Sequence, residues 1–450
     1  MPGASLSRWT LTYFACALFC LLAAEGMMVV GFGFPGAAID APDTLILVHL
    51  VAIGWLSLLM CGALFQFVPV LVARPLQAEA LSPVALAAIV LGLLALLAGF
   101  GGLSQSIAIP VELLPLGGLL LLAGFGAVIL SLGRTLWAAR PLALPARFVV
   151  AGLAALLGTV LLGESFALVL SGLLGGDMAL ALLLNGVPLH ALLGLGGWLT
   201  FTAMGVSYRL LAMFMLAPEG ERSSTRLVFA AGIGALMLVA AAIPLAMAAG
   251  AGLSGLLLAA AAAGLAALGI YAGDVATLYR QRKRRNIELN AVAAIGAFAA
   301  LLASGLLLVG LLATGQLQAR VGALAYLFAF GWLGGLGLAK LYKIIAFLTW
   351  LECFAPVLGK RQTPRVQDLV DEPRAAPWFG AYYAAVGFAT LTLLLDLPIA
   401  FRLFVGVQFV ATLAIARHLY RSRELSNLPA ELRLGFTRPH PFLPPARKMP

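Results

Sequence analysis

Apolar runs divide the chain into twelve predicted helices. Each run holds about 20 or more mainly apolar residues, the length that a helix needs to cross a bilayer. The runs cover residues 9–34, 44–73, 82–103, 109–133, 146–173, 188–216, 226–249, 252–277, 289–313, 321–356, 377–396 and 398–420. The pattern predicts an all-α polytopic membrane protein, with residues 1–450 forming a single transmembrane domain.

Polar residues concentrate between and after these runs. The segment 359–376 is the one sizeable polar connection, and the tail 421–450 is basic and contains several prolines. Such compositions are typical of loops and disordered segments. Both are predicted to be cytoplasmic loop or disorder.

A pattern centred on a Gly–Trp pair occurs three times, at Gly54-Trp55, Gly197-Trp198 and Gly331-Trp332. Seven positions after each tryptophan the residue is small, ten positions after it is aromatic and eleven positions after it is polar: Gly62, Phe65 and Gln66; Gly205, Tyr208 and Arg209; Ala339, Tyr342 and Lys343. The copies lie about 140 residues apart, which is room for four spans of ~20 residues and their loops. The twelve helices are therefore predicted to form three repeated four-helix units.

Charges predict the orientation of the helices. Basic residues cluster on every second loop, as at Arg280–Arg285, whereas the alternate loops carry mainly acids such as Asp40 and Asp177. Under the positive-inside rule, both termini are cytoplasmic, and the second, sixth and tenth helices run in the same direction. Parallel repeats of this kind predict a pseudo-threefold axis along the membrane normal, with these three helices lining the inside.

Composition excludes several classes of protein. The chain is 62% hydrophobic and 10% charged, whereas soluble domains are about 25% charged. Although the net charge is +10, the basic residues form short runs between apolar segments, which argues against a nucleic-acid partner and leaves the lipid bilayer. The four cysteines form no CxxC pair, so they indicate neither a zinc site nor a disulfide framework.

Two histidines are candidate ligands. His49 and His190 precede Trp55 and Trp198 by six and eight residues, so they are expected at similar depth near one end of their helices. An imidazole in hydrocarbon is costly and tends to face the bundle interior, where it binds a metal or a carboxylate. The alternative is an interfacial histidine bonded to a backbone carbonyl. In the third copy, Tyr326 matches His49 and Leu324 matches His190.

These features resemble the main subunit of the heme-copper oxidase superfamily, which includes cytochrome c oxidase subunit I and the large subunit of nitric oxide reductase. The similarity rests on the twelve-helix threefold plan, the H-x5-W-x6-G-x6-P pattern from His49 to Pro69, and the LHALLGLGGW sequence that contains His190. The resemblance implies that His49 is an axial ligand of a low-spin heme. It also implies that His190 is the nearest match to a histidine that binds the active-site metal.

The chain departs from this family at its other metal ligands. The family has histidines in its seventh and tenth helices, whereas residues 227–247 and 321–356 contain none. Without them there is neither a proximal ligand for a high-spin heme nor a three-histidine metal site. The resemblance therefore implies a degenerate relative that does not reduce dioxygen or nitric oxide. Heme b is the expected cofactor, and copper is the weaker alternative.

Two carboxylates lie in apolar runs, Glu25 in the first predicted helix and Glu164 in the fifth. Burial favours the neutral form of a carboxyl, which makes proton or cation handling one hypothesis for these residues. The competing interpretation is that each bonds a neighbouring helix. Met27, Met28 and Met60 could provide a soft copper(I) route near Glu25 or His49, although methionines on helices usually pack.

Two functions of different classes follow. One is a b-type heme-binding protein of the bacterial cytoplasmic membrane that transfers electrons, senses a gas or handles heme. The other is a cofactor-free transport or assembly component that works with metals or respiratory complexes. For a heme, His49 alone predicts an open, high-spin site, whereas His49 with His190 predicts a low-spin one. The open site is the expectation here, because the different register of the two histidines predicts that they do not face one another symmetrically.

The topology prediction can be tested with reporter fusions. Because both termini are expected in the cytoplasm, fluorescent protein fused to either end should fluoresce, and alkaline phosphatase fused to either end should be inactive. Active phosphatase at either terminus would contradict the predicted orientation.

Overall fold

The computed structural model describes residues 9–105, 108–218, 220–249, 254–433, 439–440 and 442, and their regular structure is helical. Twelve long helices within these ranges correspond one to one with the predicted runs. They are α1 (Thr10–Val29), α2 (Pro42–Val72), α3 (Leu81–Leu103), α4 (Leu113–Ala138), α5 (Leu144–Leu170), α6 (Asp177–Met215), α7 (Ser223–Ala249), α8 (Ser254–Arg280), α9 (Leu289–Ala313), α10 (Leu317–Cys353), α11 (Glu372–Leu394) and α12 (Pro398–Arg423).

The fold class is confirmed: the chain is an all-α polytopic membrane protein. Eleven helices of the described residues are long and apolar enough to cross a membrane. The remaining long helix is α11, which has 23 residues and starts with a charged turn containing Glu372 and Arg374.

The largest error in the predicted boundaries is at α6. This helix begins at Asp177 rather than at 188, directly after Gly176, whose φ of 99° favours glycine. Asn185 and Pro188 both lie inside this helix. The Asn185 side chain donates to the Ala181 carbonyl, 2.8 Å away, four residues earlier on the same helix.

The described residues divide into two compact units. Unit 1 comprises residues 40–285 with α2 to α8, and unit 2 comprises residues 9–39 and those from 286 onwards, with α1 and α9 to α12. Within unit 1, α3 packs on α4, α4 on α5, α5 on α6, and α7 on α8; within unit 2, α9 packs on α10, α11 on α12, and α12 on α1. The last two helices of each predicted repeat thus pack as a pair in all three copies.

The repeat also determines local backbone conformation. Each Gly–Trp pair lies in a π-helical segment, namely Leu50–Ser57, Leu192–Phe201 and Leu327–Gly334. The indoles of the three tryptophans are 0%, 1% and 0% exposed, in chain order. Because π-helix is rare, its occurrence at the same position in all three copies shows that they share structure as well as sequence.

Small residues in the π-helical segments permit close helix contacts. A methyl group added to Gly197 in α6 would lie 2.5 Å from the Cβ of Ala155 in α5, and one added to Gly331 in α10 would lie 2.8 Å from the Cβ of Ala300 in α9. Such contacts are typical of membrane helices, whose association depends on close packing rather than on the hydrophobic effect. The glycine of the Gly–Trp pair therefore has the same role in the second and third copies.

Part of the connection 359–376 is helical. A short 3₁₀ helix, Val366–Leu369, buries Leu369, and α11 begins at Glu372. The Trp350 indole donates to the Pro364 carbonyl over 2.6 Å, and the Gln367 amide donates to Glu288 over 2.7 Å. Side-chain bonds to α9 and α10 thus fix a segment whose composition suggested mobility.

The glycine contacts predict how two adjacent substitutions differ. Gly197→Ala should lower the melting temperature, because overpacking a close contact typically costs ~1–3 kcal/mol. Gly196→Ala is the matched control, since nothing lies within 4 Å of a methyl group added there and alanine favours a helix by ~1 kcal/mol over glycine. Thermal unfolding in detergent compares the two variants, and equal melting temperatures would contradict the packing described.

Candidate functional site: a histidine pair

His49 and His190 stand at the entrance to the π-helical segments. His49 is the last residue of the α-helical part of α2 before the segment Leu50–Ser57, and His190 lies two residues before the segment Leu192–Phe201 of α6. Both side chains are partly buried in unit 1. The sequence prediction of matching positions in the two copies agrees with this placement.

The two imidazole rings lie side by side. Their centroids are 6.4 Å apart and their planes are inclined by 40°. The two rings are therefore close neighbours, in spite of the different register of the two histidines.

Each ring is fixed through the same nitrogen. His49 Nδ1 lies 2.8 Å from the Leu45 carbonyl oxygen one turn earlier in α2, and His190 Nδ1 lies 2.9 Å from the Thr159 carbonyl oxygen in α5. A carbonyl only accepts, so in the neutral imidazole Nδ1 carries the proton and Nε2 carries the lone pair. The competing interpretation, a histidine bonded to a backbone carbonyl, accounts for one nitrogen of each ring. The other nitrogen keeps the form that binds metals.

His190 extends a row of close contacts between α5 and α6. Opposed along these antiparallel helices are Gly152 and Thr202, Ala155 and Gly197, Thr159 and Gly194, and finally Gly163 and His190. A methyl group added to Gly163 would lie 3.1 Å from His190 Cε1. The absence of a side chain at Gly163 thus provides the room in which the imidazole reaches the Thr159 carbonyl.

Aromatic rings surround the pair. The Phe100 ring of α3 lies 5.1 Å from the His49 ring, and the Phe166 ring of α5 lies 5.6 Å from the His190 ring in an edge-on arrangement. These contacts restrict both imidazoles and make their surroundings apolar. Within the described residues, no group of three or more His, Cys, Asp or Glu side chains is close enough to hold a metal ion.

Tyr326 has the position of His49 in the third copy. It too is the last residue before a π-helical segment, here Leu327–Gly334 in α10. Its hydroxyl donates to the side-chain oxygen of Gln408 in α12. The matching position thus carries a hydrogen-bonding phenol, and Leu324 offers no ligand atom.

The two predicted carboxylates have different environments. Glu164 of α5 packs against Gly118 of α4, where a methyl group would lie 1.8 Å from Glu164 Oε2, and this oxygen has no hydrogen-bond partner in the described part of the chain. Glu25 lies in unit 2 and accepts hydrogen bonds from Gln408 and Thr412 of α12. For Glu25 the interpretation that a carboxylate bonds a neighbouring helix is confirmed.

One further buried acid, Asp274, was not identified from the sequence. Asp274 of α8 accepts from the Tyr208 hydroxyl over 2.8 Å and from the Ser224 hydroxyl over 2.6 Å. It borders a cavity of about 350 Å³ that Arg209 and Arg222 also line. The sequence did contain a signal, because an aspartate within an apolar helix requires a hydrogen-bond partner. The sequence does not show which residues these partners are, because they come from two other helices, α6 and α7.

Comparison of the chain with family models and with curated protein sequences gives no match.

The tautomer of the two histidines is open to direct test. Nitrogen-15 NMR spectra of protein labelled at histidine should show Nδ1-protonated neutral rings for both, because each Nδ1 faces a carbonyl oxygen. His49→Ala and His190→Ala assign the two signals. An Nε2-protonated ring at either position would contradict the hydrogen bonds described.

Proposed function

We propose that the protein is a b-type heme-binding membrane protein that transfers electrons, in which His49 and His190 would together hold the heme iron. The observation that carries this proposal is the paired geometry of two imidazoles whose Nδ1 atoms are both tied to carbonyl oxygens. The same bonds orient the rings of metal-bound histidines elsewhere and raise the basicity of the ligating nitrogen.

The spacing of the rings is compatible with both imidazoles holding one metal. Imidazole nitrogens bind transition metals at ~2.0–2.1 Å, so two such rings have centroids about 6 Å apart. The observed separation of 6.4 Å agrees with that value. The geometry supports a shared site better than the expected single-ligand site at His49.

The number of ligands favours heme over a bare ion. Protein zinc sites use three or four side-chain ligands, whereas the pair described here consists of two imidazoles. A heme supplies four ring nitrogens of its own and needs only axial ligands from the protein. Phe100 and Phe166 give the apolar surroundings that a porphyrin requires. Copper(I), which accepts few ligands and binds imidazole, remains the weaker alternative.

Two axial histidines also favour electron transfer over gas chemistry. A bound heme would supply one-electron redox chemistry, and its being held by both His49 and His190 would favour electron transfer over the binding of dioxygen, nitric oxide or carbon monoxide. The Leu45 and Thr159 carbonyls would accept hydrogen bonds from the two Nδ1 atoms and so fix the imidazoles. Phe100 and Phe166 would exclude water. The electron donor and acceptor would then be other membrane or respiratory proteins.

Optical spectra test the paired site. The wild-type protein should show a low-spin reduced spectrum that carbon monoxide leaves unchanged. His190→Ala and His49→Ala should each produce a high-spin form that binds carbon monoxide or should lose the heme. His418→Ala, a substitution in α12 of unit 2, is the matched control and should leave the spectrum unaltered.

Two results would contradict the proposal. A wild-type spectrum that is high-spin and sensitive to carbon monoxide would restore the single-ligand site at His49. A colourless preparation from heme-replete cells would support the cofactor-free transport or assembly component instead.

A further inference from the structure

Unit 2 contains a buried carboxyl that the histidine pair does not use. Glu25 of α1 is 0% exposed, as are Gln408 and Thr412 of α12, which contact it. Glu25 Oε1 accepts a hydrogen bond from Gln408 Nε2 at 2.7 Å and another from the Thr412 hydroxyl at 2.9 Å. Both donors are uncharged, and both act on the same oxygen.

The second carboxyl oxygen of Glu25, Oε2, indicates which protonation state the site favours. Glu25 Oε2 is buried and has no hydrogen-bond partner in the part of the chain that the structure describes. An ionised carboxylate carries charge on both oxygens, and leaving one of them without a donor in apolar surroundings is costly. A protonated carboxyl needs donors only at its carbonyl oxygen, and Oε1 has two. The arrangement therefore matches a proton held on Oε2.

A hydrogen-bond chain connects this carboxyl to a phenol. The Tyr326 hydroxyl of α10 donates to Gln408 Oε1, and the same amide donates through Nε2 to Glu25. All donors in the chain point towards Glu25, which stabilises its ionised form as well. Oε2, which has no donor, favours the protonated form of Glu25, whereas the donors to Oε1 favour the ionised form. Glu25 can therefore adopt both forms.

Two titratable phenols lie near Glu25. Those of Tyr326 in α10 and Tyr382 in α11 interact with it electrostatically. The Tyr382 hydroxyl is engaged with the Phe330 carbonyl over 2.9 Å. Arg402 of α12 contacts the end of α1 by donating to the Val29 carbonyl over 2.9 Å. The partners that bond Glu25 itself are thus neutral.

We propose that Glu25 is a proton-binding site within the membrane-spanning helices of unit 2, with Gln408 and Thr412 as its hydrogen-bond partners and Tyr326 as the end of the chain. On uptake, a proton from water forms an O–H bond at Oε2; on release, that bond breaks and the proton returns to water. The donors to Oε1 remain in place in both states. A metal cation is the weaker candidate, because a cation at Oε2 needs several further oxygen ligands and the neighbouring side-chain oxygens are bonded elsewhere.

Infrared difference spectroscopy tests this site. At neutral pH the wild-type protein in lipid discs should show a carboxylic acid C=O band that shifts down in D₂O, whereas a solvated glutamate is ionised, with a pKa of ~4.3. Glu25→Gln should remove the contribution of this one carboxyl from the band; Glu164, whose buried Oε2 also has no partner among the described residues, is expected to account for a remainder. Glu112→Gln, which changes an exposed glutamate at the start of α4, is the matched control and should leave the band intact.

A second pair of variants tests the geometry without removing the carboxyl. Thr412→Val deletes one hydrogen bond to Oε1 and should move the band to higher frequency at unchanged amplitude. Thr392→Val is the control, because the Thr392 hydroxyl bonds the Ala389 carbonyl of its own helix α11. The band should not move in this variant.

Several outcomes would overturn the proposal. These are the absence of a carboxylic acid band in the wild type, a band that Glu25→Gln leaves unchanged, a band that Thr412→Val leaves in place, and loss of the Glu25 contribution when sodium chloride replaces choline chloride. The last would indicate a sodium site. Because the histidine pair lies in unit 1, the optical spectrum reports on it separately, and failure of one proposal leaves the other standing.

Discussion

The close approach of α5 and α6 is the constraint on which the candidate site depends. Each of the four contacts described between these helices includes a glycine, so the two helices approach at the level of their backbones. This proximity puts the Thr159 carbonyl within 2.9 Å of His190 Nδ1 and fixes the imidazole beside His49. In a membrane, where lipid is as apolar as leucine, such packing replaces the hydrophobic effect as the force that holds helices together.

The three copies show how one architecture carries different chemistry. The residue that immediately precedes the π-helical segment is His49 in the first copy and Tyr326 in the third. In unit 1 the histidine faces a second imidazole, whereas in unit 2 the tyrosine ends a chain through Gln408 to Glu25. The same backbone position therefore supplies a candidate metal ligand in one unit and a hydrogen-bond donor in the other.

Hydropathy and charge in the sequence were enough to predict the helices, because a spanning segment must be apolar over a fixed length. The Gly–Trp pattern also predicted which residues are equivalent. The orientation of His49 towards His190 could not be predicted, because hydropathy does not reveal where an α-helix becomes a π-helix. The partners of Glu25 were equally hidden: Gln408 lies 383 residues away in the chain, and only the packing of α1 on α12 brings them together.

The central claim is that His49 and His190 share one iron atom. Electron-nuclear double resonance of the oxidised protein, isolated from cells supplied with nitrogen-15 histidine, measures this directly because it counts the histidine nitrogens coupled to the iron. A low-spin ferric signal with two strongly coupled histidine nitrogens is the predicted result. A high-spin signal coupled to a single histidine nitrogen, or a preparation without iron, would contradict it.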